Sequence, residues 1–90
     1  LNKIFVNNSN TPLNQYSLKS LEKWLINLGA NNDADDSSKW YLSLSNWDAT
    51  IIFEQDDLSV VWESDGSFTR RSFSYCINLE DVENAIIQGP

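Results

Sequence analysis

The feature that most constrains this chain is how little sequence separates its apolar, alternating segments. Leu58-Ser59-Val60-Val61-Trp62-Glu63 gives way after Ser64 to Asp65-Gly66, and a further segment runs from about Ser67 to Tyr75. Asp-Gly supplies the two positive-φ positions of a type I′ turn, the strongest short-range hairpin signal. Upstream, Thr50-Ile51-Ile52-Phe53-Glu54 is joined to Leu58 by Gln55-Asp56-Asp57 alone. Before it, Trp40, Leu42 and Leu44 alternate with Tyr41, Ser43 and Ser45. Links this short force neighbouring strands to run antiparallel, because a parallel pair needs a crossover of a dozen or more residues. The pattern predicts a four-stranded antiparallel meander.

Helical patterns flank these strands. Ser17 stands at an N-cap position, and Leu18, Leu21, Trp24, Leu25 and Leu28 recur at three- and four-residue steps, which draws one apolar stripe. Lys19, Glu22 and Lys23 fall on the other side, and Gly29 sits where a helix end wants a left-handed residue. After the strands, Asn78 is placed to cap a second helix, with Glu80 and Asp81 in the turn where acids favour the helix dipole. Its apolar residues Leu79, Val82, Ile86 and Ile87 are read as facing inward, and Gly89-Pro90 stops it. The expected architecture is α+β, a two-layer sandwich in the order α-β-β-β-β-α with both helices on one face of the sheet. Residues 1–16 read as an N-terminal arm, with Ile4-Phe5-Val6 before an Asn-rich stretch, and 17–90 as a single domain. The polar run Asn31 to Ser38 reads as an acidic loop of variable conformation.

Ninety residues with eleven aromatics suffice for one core. Thirteen acidic against six basic residues give a net charge of −7, which repels phosphate backbones and anionic membranes. Neither nucleic acid nor a membrane is therefore an expected partner. One cysteine, Cys76, forms no internal disulfide, so the chain needs no oxidising compartment, and a cytoplasmic location is the expectation.

Thr11-Pro12-Leu13 followed by Leu18, Leu21-Glu22, Trp24-Leu25 and Gly29-Ala30 is one half of a resemblance. The other half is Arg71-Ser72-Phe73-Ser74-Tyr75, then Asp81-Val82-Glu83-Asn84-Ala85-Ile86-Ile87 and a closing Gly89-Pro90, with Trp40, Trp47 and Trp62 between. Together they resemble a short cyanobacterial family, the domain of unknown function catalogued as thirty-one forty-three. Members carry a His-Pro type pair before the first helix where this chain has Tyr16-Ser17, so no chemical role carries over to that spot. The resemblance implies a protein of the cyanobacterial cytosol or plastid stroma and assigns no activity.

Histidine is absent, which removes Ser-His-Asp and Cys-His catalysis and the common His-containing metal sites from the chain. Cys76, near a helix start, is read as a small packing residue at the strand–helix junction. Asp33, Asp35 and Asp36 suggest calcium, but an EF-hand loop counted from Asp33 needs Gly and Glu where this chain has Ser38 and Leu44. No cofactor or metal is expected, nor an enzyme.

The outer face of the sheet is the expected site. If Trp40, Leu42, Ile51, Phe53, Val60 and Trp62 face the helices, then Tyr41, Ile52 and Val61 face away as a partly apolar row rimmed by charge. Arg70 and Arg71 are the concentrated positive charge nearby. Arg70 is placed to pair across strands with Glu63 or Glu54, and Arg71 is left with no assigned use. The leading expectation is a non-enzymatic module that binds a partner protein through this face or its edge, with Tyr41, Ile52, Val61, Arg70 and Arg71 as the binding residues. One alternative is a small acidic homodimeric chaperone or assembly factor. Another is a small-ligand protein or enzyme using Asp or Glu near Tyr16.

Overall fold

Asp65 and Gly66 take φ of 52° and 82°, and the hairpin they make sets the register of everything around it. The computed structural model describes residues 11–90, so the Ile4-Phe5-Val6 cluster lies outside the described residues. A 3-10 turn at Leu13–Gln15 precedes helix α1, Leu18–Leu28. Five strands follow: β1 Asn31–Asn32, β2 Lys39–Ser43, β3 Asp48–Phe53, β4 Asp57–Ser64 and β5 Ser67–Ser74. Helix α2, Leu79–Gln88, closes the order. All strand pairs are antiparallel and each strand neighbours its predecessor, so the sheet is a meander in an α+β fold.

The expected count of four strands becomes five, because Asn31 and Asn32 pair with Tyr41 and Trp40. The acidic run after them is held by side-chain-to-backbone hydrogen bonds. Asp33 Oδ2 accepts the N–H groups of Asp35 and Asp36, and Asp36 Oδ1 accepts the N–H and hydroxyl of Ser38. Asn32 Nδ2 donates to the carbonyls of Ser37 and Lys39, which ties the loop back onto β2. Aspartates bond their own backbone readily in turns, so an acidic loop needs no apolar anchor.

Register follows by counting from the turn. Trp40, Ile51, Val60 and Arg71 lie side by side, as do Leu42, Ala49, Trp62 and Thr69. The apolar members of these rows are buried with Leu21 and Leu25 of α1 and Val82 and Ile86 of α2 in one core. Both helices therefore cover the same face. Trp62 anchors it: the side chain is fully buried, and its Nε1–H donates to the Ile86 carbonyl at 3.0 Å. Losing such a ring from a core costs about 3–5 kcal/mol. Between the helices, Trp24 Nε1–H donates to Glu83 Oε1 at 2.8 Å.

Helix ends follow local chemistry with one exception. Ser17 Oγ accepts the Ser20 N–H, and Gly29 adopts φ 101° to end α1. Asn78 holds the N-cap position of α2, but its side chain makes no capping bond. Backbone pairing stands in its place, since Leu79 N–H donates to the Thr11 carbonyl and Leu13 N–H to the Ile77 carbonyl. This clasp puts Leu13 in the core, fully buried. Two stripe assignments need correction. Leu18 is 61% exposed because the first turn of α1 overhangs the core, and Ile87 is 46% exposed on the solvent side of α2.

Candidate functional site

The face of the sheet away from the helices has three cross-strand rows. Tyr41, Thr50, Val61 and Arg70 form one, Lys39, Ile52, Ser59 and Ser72 the next, and Ser43, Asp48, Glu63 and Phe68 the third. Tyr41, Ile52 and Val61 do share this face as expected. Tyr41 and Val61 share a row with Thr50 between them, and Ile52 belongs to the neighbouring row. Ile52 and Val61 are half-buried, and the Tyr41 hydroxyl is committed to Asp33 at 2.6 Å. That bond pulls the Asp33 carboxyl below its ordinary value, and it holds the Tyr41 hydroxyl above its own. The apolar row expected here is thus broken by a threonine and capped by an acid.

Next to it lies a polar network that nothing in the alternation pattern announced. Ser59, fully buried although it points to the outer face, donates its hydroxyl to Glu54 Oε1 at 2.6 Å. Arg70 Nη2 donates to Ser59 Oγ at 3.0 Å and to Glu54 Oε1 at 3.2 Å. The Ser59 hydroxyl is the main reason the Glu54 carboxyl titrates below its ordinary value, with Arg70 adding to it. A carboxylate held low is a weak proton acceptor, so this arrangement fixes a charge and does not prime a nucleophile. Its product is an Arg70 side chain laid across the outer face. Of the two cross-strand partners considered for Arg70, Glu54 is the one it meets.

Arg71 goes to the opposite face. Thr69 and Arg71 remain exposed even though they point to the helix side, while Phe73 on the same side is buried in the core. The Arg71 guanidinium lies 4.8 Å from the centre of the Phe73 ring, a cation–π contact. No carboxylate pairs with it among the described residues.

Among the described residues β5 is the sheet's long open margin: its one sheet neighbour is β4, and Phe73 is its one buried side chain. A two-residue turn makes the flanking pair, Ser64 with Ser67, exchange both backbone hydrogen bonds, and pairs alternate from there. Phe68, Arg70 and Ser72 therefore turn their N–H and C=O groups away from β4. Phe68 is also 71% exposed, the barest large apolar residue of those described. Sequence reasoning passed over it, although counting outward from Asp65-Gly66 puts it opposite Glu63 on the outer face.

Other candidates lie apart. Cys76 is exposed instead of packed, and accepts a weak bond from Asn14 Nδ2 at 3.7 Å. Tyr16 packs against the core, and the stretch from Pro12 to Ser20 around it contains no Asp or Glu. An open hollow of about 290 Å³ between the β2–β3 and β4–β5 turns gathers Asp48, Glu63 and Asp65, which makes it hostile to anions. Among the described residues no cluster of three metal-ligating side chains occurs, and no helix is long and apolar enough to cross a membrane.

The fold defines the class first: a small α+β sandwich whose meander sheet carries two helices on one face. Within that class the chain belongs to the family described as Protein of unknown function (DUF3143), whose model matches residues 28–89. The match runs from the last residue of α1 through Gly89 and contains the Arg71-to-Ile87 signature; of the opening motif it contains Gly29-Ala30, while Thr11 to Leu25 precede it. No curated protein and no solved structure matches the chain.

Proposed function

We propose that this protein is a non-enzymatic interaction module that binds a partner protein by adding one of its extended segments to the edge of β5 that no other described strand covers. The supporting observation is the edge itself: an eight-residue strand with one buried side chain, unbroken by Gly or Pro. Such a margin templates strand addition, in which main-chain hydrogen bonds supply affinity and alternate side chains supply specificity. Of the residues first expected to bind, Arg70 and Arg71 lie on this edge, while Tyr41, Ile52 and Val61 lie inward from it. The homodimeric assembly-factor reading competes for the same edge. It fares worse because two copies of β5 bring arginines and no acid to the seam. Neither nucleic acid nor an anionic membrane suits a chain of net charge −7.

The test is Ser72→Pro. Ser72 turns its N–H away from β4, so proline removes a donor to the partner and no donor to the sheet, and edge strands tolerate it there. Partner proteins cross-linked to the wild-type chain in its host are expected to be lost from the variant, with the far-ultraviolet circular dichroism unchanged. Equal cross-linking by the two proteins refutes the reading.

A further inference from the structure

The chemistry of β5 goes further and specifies what kind of segment fits, an inference that rests on strand addition at this edge. An added strand meets exposed side chains of β5 on both faces, since Phe68 on the outer side and Thr69 and Arg71 on the helix side are all exposed. On the helix side it meets Arg71, whose charge has no carboxylate partner among the described residues and whose guanidinium is already oriented by the Phe73 ring. On the outer side it meets Phe68, exposed and apolar, at the end of a row that begins at Ser43. Arg70, between them in sequence, is already matched by Glu54 and asks for nothing. Side chains directly opposite one another in a sheet interact, and opposite charges or apolar pairs are the favourable combinations.

We infer that the partner is an extended segment that lies antiparallel to β5, with a single carboxylate opposite Arg71 and an apolar side chain three residues later opposite Phe68. The order follows from the direction of the strand: in an antiparallel pair the residue facing Arg71 precedes the one facing Phe68. The spacing of three puts the two side chains on opposite faces, as they are on β5 itself. A second copy of this chain does not satisfy the pattern, since Ser67–Ser74 contains no Asp or Glu. Arg71 thus deters self-pairing of this edge and admits a carboxylate from another chain.

The experiment uses an array of immobilised octapeptides, Thr-Val-X-Thr-Val-Z-Thr-Val, in which X and Z run through all twenty residues, probed with the whole chain. Binding is expected to concentrate at Asp or Glu for X with Phe, Leu, Ile or Val for Z. The best peptide, measured by fluorescence anisotropy, is expected to lose about three- to tenfold in affinity for Arg71→Glu. The same peptide with Lys at X should recover that loss on Arg71→Glu. If the best peptides bind and Ser72→Pro blocks them while X shows no acidic preference and Arg71→Glu changes nothing, the acidic specificity is wrong and strand addition stands. If no peptide binds, or bound peptides leave the amides of Phe68, Arg70 and Ser72 unprotected from hydrogen exchange, both fail. Protection of those amides in the isolated chain, with a dimer by light scattering, overturns the inference in favour of a second copy.

Discussion

Gly89 is the position at which a single methyl group has the most to disturb. Its φ of 88° and ψ of −167° lie in a region that only glycine occupies readily, at a cost of about 1–3 kcal/mol for any other residue. A Cβ built there falls 2.1 Å from Cζ2, 2.3 Å from Cε2 and 2.6 Å from Cη2 of Trp47, inside the ring. Gly89→Ala therefore combines backbone strain with overpacking, which adds about 1–3 kcal/mol of its own. Gly66 is the internal control, because it too has positive φ, 82°, but nothing lies within 4 Å of its added Cβ. Trp47→Leu removes the three clashing atoms while retaining apolar bulk. Urea unfolding of the wild type, both single variants and the double variant, followed by circular dichroism, closes a cycle. The expected coupling between Gly89→Ala and Trp47→Leu is about 1–3 kcal/mol, with alanine cheaper once the ring is gone. No coupling, or a Gly89→Ala cost equal to that of Gly66→Ala, refutes the claim that Trp47 is packed onto the end of α2.

Smaller perturbations test the polar contacts. Ser59→Ala should cost about 0.5–1.5 kcal/mol in thermal or urea unfolding and let the Glu54 carboxyl rise toward its ordinary value in a carbon-detected NMR titration. Glu54, Asp33 and Asp36 all titrate low in the folded chain, so their contribution is complete above their unfolded values near 4.5 and 3.8 and disappears as pH falls through the folded ones. Acid unfolding of Glu54→Gln should accordingly show a shallower limb than the wild type, and an identical limb counts against the network. Trp24→Phe deletes the bond from α1 to Glu83 and should lower stability by about 1 kcal/mol, a loss that Glu83→Gln in the wild-type background should share only in part.

What could be read in advance divides along a physical line. Turns and caps whose chemistry is local were legible: Asp65-Gly66, Ser17 and Gly29 act through their own backbone angles and nearest neighbours. The two-residue strand at Asn31–Asn32 was not, because its pairing is imposed by β2 and its own side chains favour turns. Leu18 has the right spacing for the buried stripe, but whether a helix's first turn lies over a sheet or beyond it is a tertiary matter. Ile52 was assigned the right face, since faces follow from alternation. Its row depended on the pairing of Phe53 with Leu58 across the Gln55-Asp56-Asp57 link, which alternation alone does not supply. Ser59 reads as an outward polar residue and is one, yet Arg70 and Glu54 close over it. Arg71, left without a use by the sequence, stacks on the Phe73 ring, a contact between residues two apart on one face of a strand.

The clasp between Thr11–Asn14 and Tyr75–Leu79 has a consequence for how this molecule assembles. Every strand pairing in the meander joins chain neighbours, so the sheet can zip from the Asp65-Gly66 turn with small loops closed at each step. The bond from Leu13 to Ile77 instead closes a loop of some sixty residues, an entropic cost of about 3–4 kcal/mol if made before the sheet exists. Once the meander has formed, most of that distance is already spanned by ordered chain. The clasp is thus expected to form late in folding and to open early in unfolding, with Leu13 entering the core only when the two ends of the domain meet.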